Sequence, residues 1–479
     1  MKGIILLFVF FSCSAFSQTI YGPHEVETAA KPSGGEEVLN LFIASNLRIP
    51  ITSSWKGLNG RVFVKAIIEP NGSPSNLEII RGIDTLCNAE AIRVASLYHA
   101  WQPAKLKGNA VRQSVTIPIV FRAAPIASYD SAQRSLITYF DKRWVKTTKP
   151  GDYKYKRLIP LDDFGFMNGD MLFEQKNRDG WIWFASVPFR KEEFWHKIHG
   201  SLNKDSIKVV KTTANDEQWN FPSYQVIVRQ LNGKILSHSE FTDGGIQVAD
   251  KSYHLNEVLS ELEIEQNNVK RKISWYENGQ LASITESPVH YAKPFIYVVN
   301  EFYDQNGAHL VKNGNGYYNF EIHNQQGLEG QGAISNGLKQ GRWTMKGKDS
   351  TLLFDELYEK GILTKGISFF EGKKLEYTEV EVQPEFSGGM PSMYKYLSQN
   401  IKYPKDAAKQ NIMGRVFTSF VVCEDGSLCD YKILKGLNES IDAEALRVIE
   451  GMSGKWQPGW QRGRKVRVKY NLPINFQLR

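Results

Sequence analysis

The chain has 479 residues, of which 42% are hydrophobic and 23% charged, the composition of folded protein and the length of about three domains. That excludes a wholly disordered or collagen-like chain. Its 59 basic and 51 acidic side chains leave a formal charge of +8 spread along the sequence, which reads as a solvated surface with at most weak attraction for acidic surfaces or anionic lipid.

Lys2, the apolar run Ile4 to Phe11, and small residues at Ala15 and Ser17 give residues 1–17 the three-part layout of a cleavable secretory signal peptide, with cut before Gln18. The run is far shorter than the ~20 residues of a membrane span, and no later segment approaches that length. A retained anchor and lipoprotein processing at Cys13 are the alternatives, although Phe11 and Ser12 make a poor lipobox. Export argues against nucleic acid as a partner. It also leaves Cys87, Cys423 and Cys429, an odd number for an oxidising compartment, so no disulfide framework is implied. Cys423 and Cys429 flank the turn Glu424-Asp425-Gly426-Ser427, where a tight hairpin sets Cys423 opposite Leu428 and Cys429 on the other face.

The segment that follows recurs at the far end of the chain. Ser33-Gly34-Gly35 returns as Ser387-Gly388-Gly389, Pro50 as Pro404, Gly60-Arg61-Val62-Phe63 as Gly414-Arg415-Val416-Phe417, Asn71-Gly72-Ser73 as Asp425-Gly426-Ser427, and Glu90-Ala91 with Arg93 as Glu444-Ala445 with Arg447. After one inserted residue, Trp101-Gln102-Pro103 returns as Trp456-Gln457-Pro458, Val111-Arg112 as Val466-Arg467, and Pro118-Ile119 with Phe121 as Pro473-Ile474 with Phe476.

Leu39, Phe42, Ile43 and Leu47, like Met393, Tyr396, Leu397 and Ile401, have the spacing of one helix face, which Pro50 or Pro404 ends. Val-, Ile- and Phe-rich runs, Arg61 to Ile68 and Arg415 to Cys423, meet the hairpin signals Asn71-Gly72 and Asp425-Gly426 and return as Asn76 to Ile80 and Asp430 to Leu434. A second helix opens at Asn88 or Asp442, with Glu90 or Glu444 near the positive end of its dipole. In the last strand Val466, Val468, Tyr470 and Leu472 alternate with Lys465, Arg467, Lys469 and Asn471, giving one buried and one wet face. Each copy thus reads as an α-β-β-α-β unit, an α+β fold with a three-stranded antiparallel sheet and two helices.

Between the copies, residues 126–375 show short strands punctuated by Asn-Gly and Gly: Leu231-Asn232-Gly233, Trp275-Tyr276-Glu277-Asn278-Gly279, Phe302-Tyr303-Asp304-Gln305-Asn306-Gly307, Lys339-Gln340-Gly341-Arg342-Trp343 and Phe369-Phe370-Glu371-Gly372. Aromatics ahead of such turns read as successive β-hairpins stacked into a spacer, and they resemble MORN-variant repeats of bacterial antitoxin-like and envelope proteins. Trp144, Trp181, Trp183 and Trp195 suggest a packed segment. No catalytic constellation can be assembled. His196 and His199 have one-helix-face spacing, but nothing nearby completes a metal ligand set. Asp163-Phe164-Gly165 lacks every companion motif of a kinase. Neither enzyme activity nor a metal or other cofactor is expected.

In the last segment the motifs come together: Gly-Gly at a first helix, Tyr403-Pro404 after it, Gly-Arg-Val entering a strand, Asp-Gly-Ser at the hairpin, Glu-Ala-Leu-Arg on the second helix, Trp-Gln-Pro, and Leu-Pro-Ile-Asn-Phe at the close. This resembles the C-terminal domain of TonB over residues 376–479. Residues 30–122 resemble it too, with Ile49 for the Tyr and Ile119-Val120-Phe121 for Ile-Asn-Phe. The expected organisation is a signal peptide at 1–17, a TonB-like domain at 18–125, the β-rich region at 126–375 and a second TonB-like domain at 376–479.

An all-antiparallel sheet of this order places the last strand at an edge, where Pro118 and Pro473 are tolerated because they have no N–H to donate. Such an edge either accepts an extended peptide or is merely blunted against aggregation. The resemblance implies the first role, because TonB pairs this strand with a short segment of outer-membrane receptors. It transfers peptide binding to Val468, Lys469, Tyr470, Asn471 and Leu472, and in the first copy to Gln113, Ser114, Val115, Thr116 and Ile117, with Lys469 or Arg467 adding charge selection. The implied protein is a periplasmic adaptor of a Gram-negative bacterium, at or near the outer membrane, whose partners are extended segments of outer-membrane receptors or other envelope proteins. TonB's membrane helix and Pro-rich spacer are not seen, so the alternative of an energy transducer for TonB-dependent transport requires a retained N-terminal anchor. A structural envelope protein is a third reading, and domain swapping through the last strand would give a dimer.

Overall fold

The structure, a computed structural model, describes residues 19–51, 53, 59–122, 128–197, 206–215, 222–241, 247–289, 297–322, 328–347 and 349–477. The signal segment with Cys13, the cleavage point at Gln18, and His199 lie outside the described residues. The chain is α+β, with five α-helices among the described residues, and divides into two compact units, Met1–Gly316 and Tyr317–Arg479.

In the first unit, helix α1 (Gly35–Asn46) buries Val38, Leu39, Phe42 and Ile43 and ends before Pro50, with Leu47 already extended. Strands β1 (Ile20–Tyr21), β2 (Gly60–Ile68), β3 (Pro74–Arg81) and β4 (Asn109–Phe121) lie in the order β1-β4-β2-β3. β2 is antiparallel to β3 and β4, but β1 is parallel to β4. The expected three-stranded antiparallel sheet is therefore extended here by the chain's own N-terminal segment. Helix α2 (Thr85–Leu97) packs Ala91, Val94 and Ala95 into the core.

A five-stranded antiparallel sheet follows, from Ser128–Asp130 to Trp181–Val187. The tryptophans of this stretch do not form a packed interior: Trp144 stacks on Tyr155 at 4.2 Å while exposed, Trp183 is exposed, and so is Trp195 on the strand that follows. Next comes an antiparallel meander from Phe189–Lys197 to His309–Lys312. Its turns are laced to one another: the amides of Gln230, Asn256 and Asn278 donate to the carbonyls of Leu255, Glu277 and Gln305, each in the following turn. The meander shares one hydrophobic core with the first copy. Phe42 meets Trp275 at 5.3 Å, Tyr253 donates its hydroxyl to the Ser45 carbonyl, and Arg48 pairs with Glu257.

In the second unit, strands from Leu328–Ser335 to Lys373–Tyr377 form another antiparallel meander. The second copy follows as α3 (Gly389–Asn400), a short helix α4 (Lys405–Lys409), β5 (Gly414–Val422), β6 (Leu428–Lys435), α5 (Glu439–Glu450) and β7 (Val468–Phe476). The sheet order is β6-β5-β7, antiparallel throughout. This copy meets its meander through the turn before β7, and among the described residues its first helix shares no hydrophobic core with the meander. Arg462 in that turn pairs with the buried Glu356 at 2.8 Å, stacks on Phe354, and accepts the Ser368 hydroxyl on its carbonyl.

The recurrent motifs have recurrent structural roles. Gly72 and Gly426 have φ of 82° and 83°, and a Cβ on either would lie 2.3 or 2.2 Å from the carbonyl oxygen of Trp101 or Trp456. The hairpin turn thus packs directly on the Trp-Gln-Pro backbone, where only glycine fits. The Glu-Ala-x-Arg motif does not serve the dipole of its own helix. Glu90 accepts the Arg48 N–H, and Arg93 grips Glu90 while donating to the Asn46 carbonyl. Glu444, Arg447, the Lys402 N–H and the Asn400 carbonyl repeat the arrangement. The second helix thereby satisfies backbone groups at and just beyond the end of the first. It also starts earlier than expected: Asp84 and Asn438 are the caps, while Asn88 and Asp442 accept the N–H of Ile83 and Leu437.

Candidate peptide-binding edge

β7 pairs with β5 from Val422↔Val468 to Gly414↔Phe476, and among the described residues no strand lies on its other side. The ladder begins at Val468, later than the alternation implies, because Arg464–Val466 turns back to pair with Gly459–Gln461. Leu472, Ile474 and Phe476 are buried, and Lys469, Asn471, Pro473 and Asn475 face solvent. Pro473 stands opposite Phe417 within the ladder, so its nitrogen is turned away from β5. Backbone direction in an antiparallel strand has a period of two, so Lys469, Asn471 and Asn475 offer N–H and C=O groups outward as well.

The inner face of this edge is held by aromatic packing. The Tyr470 ring lies 4.9 Å from Trp456 and 5.6 Å from Phe420, and Trp456 also meets Phe386. Burial raises the Tyr470 hydroxyl above its ordinary pKa, so it stays protonated at neutral pH and contacts the Met390 sulfur. At the Val468 end, a groove of about 440 Å³ is lined by Val382 and Trp460 and flanked by Glu381, Glu424, Arg464 and Arg467. Arg467, expected to select charge on a partner, is bound to Asp430 at 3.0 Å and to Cys429.

The equivalent edge in the first copy is partly closed. β1 pairs with β4 at Ile20↔Arg112 and Tyr21↔Gln113. Gln113 is 1% exposed, accepts the Ala30 N–H on its side-chain oxygen, and donates to the Gly22 carbonyl. Gln113 is thus unavailable to a partner in this arrangement, a correction that follows from the chain supplying its own strand. Ser114, Val115, Thr116 and Ile117 continue β4 beyond the capped pair and pair with β2.

His196 lies on a strand, paired with Ile207, and not on a helix. Among the described residues there is no group of three or more His, Cys, Asp or Glu side chains placed to hold a metal ion, and no helix long and apolar enough to cross a membrane. Sequence reasoning missed Gln113 as a structural anchor and Arg462 as the docking residue; Glu-x-x-Arg recurring in both copies was the visible signal for the helix clip.

Residues 46–123 and 399–478 match the family of the Gram-negative bacterial TonB protein C-terminal. The two copies are thus TonB C-terminal-like domains. Similar solved structures include two NMR solution structures of the Helicobacter pylori TonB C-terminal domain, each 25% identical, covering 19% and 18% of this chain and 80% and 91% of those chains, with TM-scores of 0.16. No curated protein matches the chain. The paired TonB domains support a TonB-like protein-interaction role.

Proposed function

We propose that the chain is a periplasmic protein-binding adaptor of a Gram-negative envelope, without catalytic activity or cofactor. Its second TonB domain takes up an extended segment of an outer-membrane transport protein or other envelope protein as an added strand along β7. Its first TonB domain is a fixed scaffold. The observation that carries this reading is the asymmetry of the two edges: β4 is capped by Ile20–Tyr21 at Gln113, whereas β7 has no second strand among the described residues. Main-chain hydrogen bonds to Lys469, Asn471 and Asn475 give affinity, and the groove at the Val468 end receives a side chain of the incoming segment.

The test is binding of synthetic peptides covering periplasm-facing receptor segments to the full chain and to its Asn471→Pro variant. Asn471 faces solvent beside Pro473, so proline there removes an outward N–H and spares the ladder to β5. Tyr470 is left intact because its ring is part of the core. Binding weakened at least tenfold in Asn471→Pro and retained in Asn471→Ala supports strand addition; equal binding by Asn471→Pro overturns it. Sequencing the mature N-terminus separates the adaptor from a transducer, which needs the first 17 residues kept as an anchor.

A further inference from the structure

The turn between β5 and β6 brings two thiols together. Val421 pairs with Cys429 and Val422 with Leu428, so Cys423 stands one residue beyond the last ladder pair and not opposite Leu428 as the sequence suggested. It is folded back by its N–H bond to the Ser427 carbonyl. The Cys423 and Cys429 sulfurs are 2.7 Å apart, unbonded and partly exposed. The Arg467 guanidinium lies 3.1 Å from the Cys429 sulfur. Cys87, by contrast, is fully buried, and burial pushes its thiol up to about 11.

The first TonB domain shows what this position does. There the repeat sets Glu69 in place of Cys423, Ser75 in place of Cys429 and Arg112 in place of Arg467. Ser75 donates its hydroxyl to Glu69, and Arg112 binds the same carboxylate at 2.9 Å, so the hairpin is tied across its turn without a covalent bond. In the second domain the arginine is retained and the acid–hydroxyl pair has become two cysteines.

We infer that Cys423 and Cys429 are a redox-active pair that closes to a disulfide by exchange with the disulfide of a small molecule or another protein. Cys429, whose sulfur lies against the Arg467 guanidinium, attacks as its thiolate one sulfur of the donor and expels the other as a thiolate, leaving a mixed disulfide on Cys429. The Cys423 thiol then loses its proton and attacks the Cys429 sulfur, expelling the second donor thiolate. Two protein thiols are oxidised, one donor disulfide is reduced to two thiols, and the two protons pass to them. The order follows from the surroundings. Cys423 is held above the ordinary thiol range by its hydrogen bond with Cys429 and by burial, which suits a resolving thiol. Closure requires the sulfurs to approach from 2.7 Å to the covalent distance of about 2.05 Å. The bond locks the turn that adjoins Arg467, the residue leading into β7.

Incubating the reduced full chain with glutathione disulfide, alkylating and digesting with trypsin reads the outcome directly, because both cysteines fall in the single peptide from Val416 to Lys432. The expected product is that peptide two hydrogens lighter and unalkylated, restored to the doubly alkylated form by reductant, while Cys87 stays reduced. A peptide recovered doubly alkylated, or carrying stable glutathione on either cysteine, overturns the proposal. Arg467→Gln should slow closure by roughly two- to fivefold, the size of an exposed charge interaction, and Arg467→Lys, which keeps the charge, should restore much of the rate. An equal slowing in Arg467→Lys would show that Arg467 acts on the fold and not through its charge beside Cys429.

Discussion

Replacing Arg462 by alanine removes the charge that holds the second TonB domain on its meander. The Glu356 side chain has no solvent exposure; it accepts the Arg462 Nε–H at 2.8 Å, the Tyr377 hydroxyl at 2.7 Å and the Tyr358 hydroxyl at 3.0 Å. Without the guanidinium the carboxylate keeps two neutral donors and loses its paired cation inside a site closed to water. Breaking one side of a buried pair costs about 3–5 kcal/mol. Arg462 is itself 28% exposed, which places the expected loss near the lower end, and the lost stacking on Phe354 at 3.9 Å adds about 0.5–1 kcal/mol. The backbone bonds from Arg462 N–H to the Val380 carbonyl and from the Ser368 hydroxyl to the Arg462 carbonyl survive the change. Urea unfolding followed by tryptophan fluorescence measures the loss. The decisive comparison is the same substitution in a Glu356→Gln background, where no carboxylate is stranded and most of the penalty should vanish. A loss below about 1 kcal/mol in the single variant, or the same loss in both backgrounds, refutes the buried pair as the docking determinant.

Two further outcomes distinguish the copies. Phe42→Ala should cost about 3–5 kcal/mol in unfolding free energy, because Phe42 is fully buried between Tyr98 and Trp275, whereas Tyr396→Ala at the equivalent position should cost about half as much, since Tyr396 is only half-buried and donates its hydroxyl to Gly451. Acid should loosen the helix clip of the second copy. Burial alone raises the Glu444 carboxyl, but the Arg447 and Lys402 hydrogen bonds outweigh it and hold the carboxyl below its ordinary value. A depressed folded-state pKa contributes stability that is present above the unfolded value of about 4.3 and is lost as pH falls through the lower folded value. Stability measured between pH 6 and pH 3 should therefore fall less steeply in Glu444→Gln than in the unmodified chain.

Much of the fold was legible because the chain states it twice. Gly60 to Ile68 and Gly414 to Val422 carry the same apolar alternation, and both run beside the last strand as the pattern required. Helix starts were misplaced because Asn88 and Asp442 look like caps; they bind the loop N–H groups of Ile83 and Leu437, and the true caps lie four residues earlier. The Cys423–Cys429 approach was missed because pairing was assumed to reach Cys423, whereas the turn begins there. The β1 cap and the Arg462 bond to Glu356 join residues about 90 or more positions apart, and no local periodicity encodes such contacts.

The differences between the copies are as informative as their likeness. Phe42 becomes Tyr396 and Val38 becomes Ser392, so only the first copy has a helix face apolar enough to share a core with a meander. Gln113, whose amide binds Ala30 and Gly22, becomes Val468, which has no polar group with which to hold a capping strand. Glu69 and Ser75 become Cys423 and Cys429. Each substitution removes a fixed tie from the second copy: the buried helix face, the occupied edge, the permanently hydrogen-bonded turn. What the duplication has produced is one TonB-like domain built into its unit at all three places and one whose outer strand has no second partner among the described residues, beside a turn that carries two thiols in place of the fixed tie.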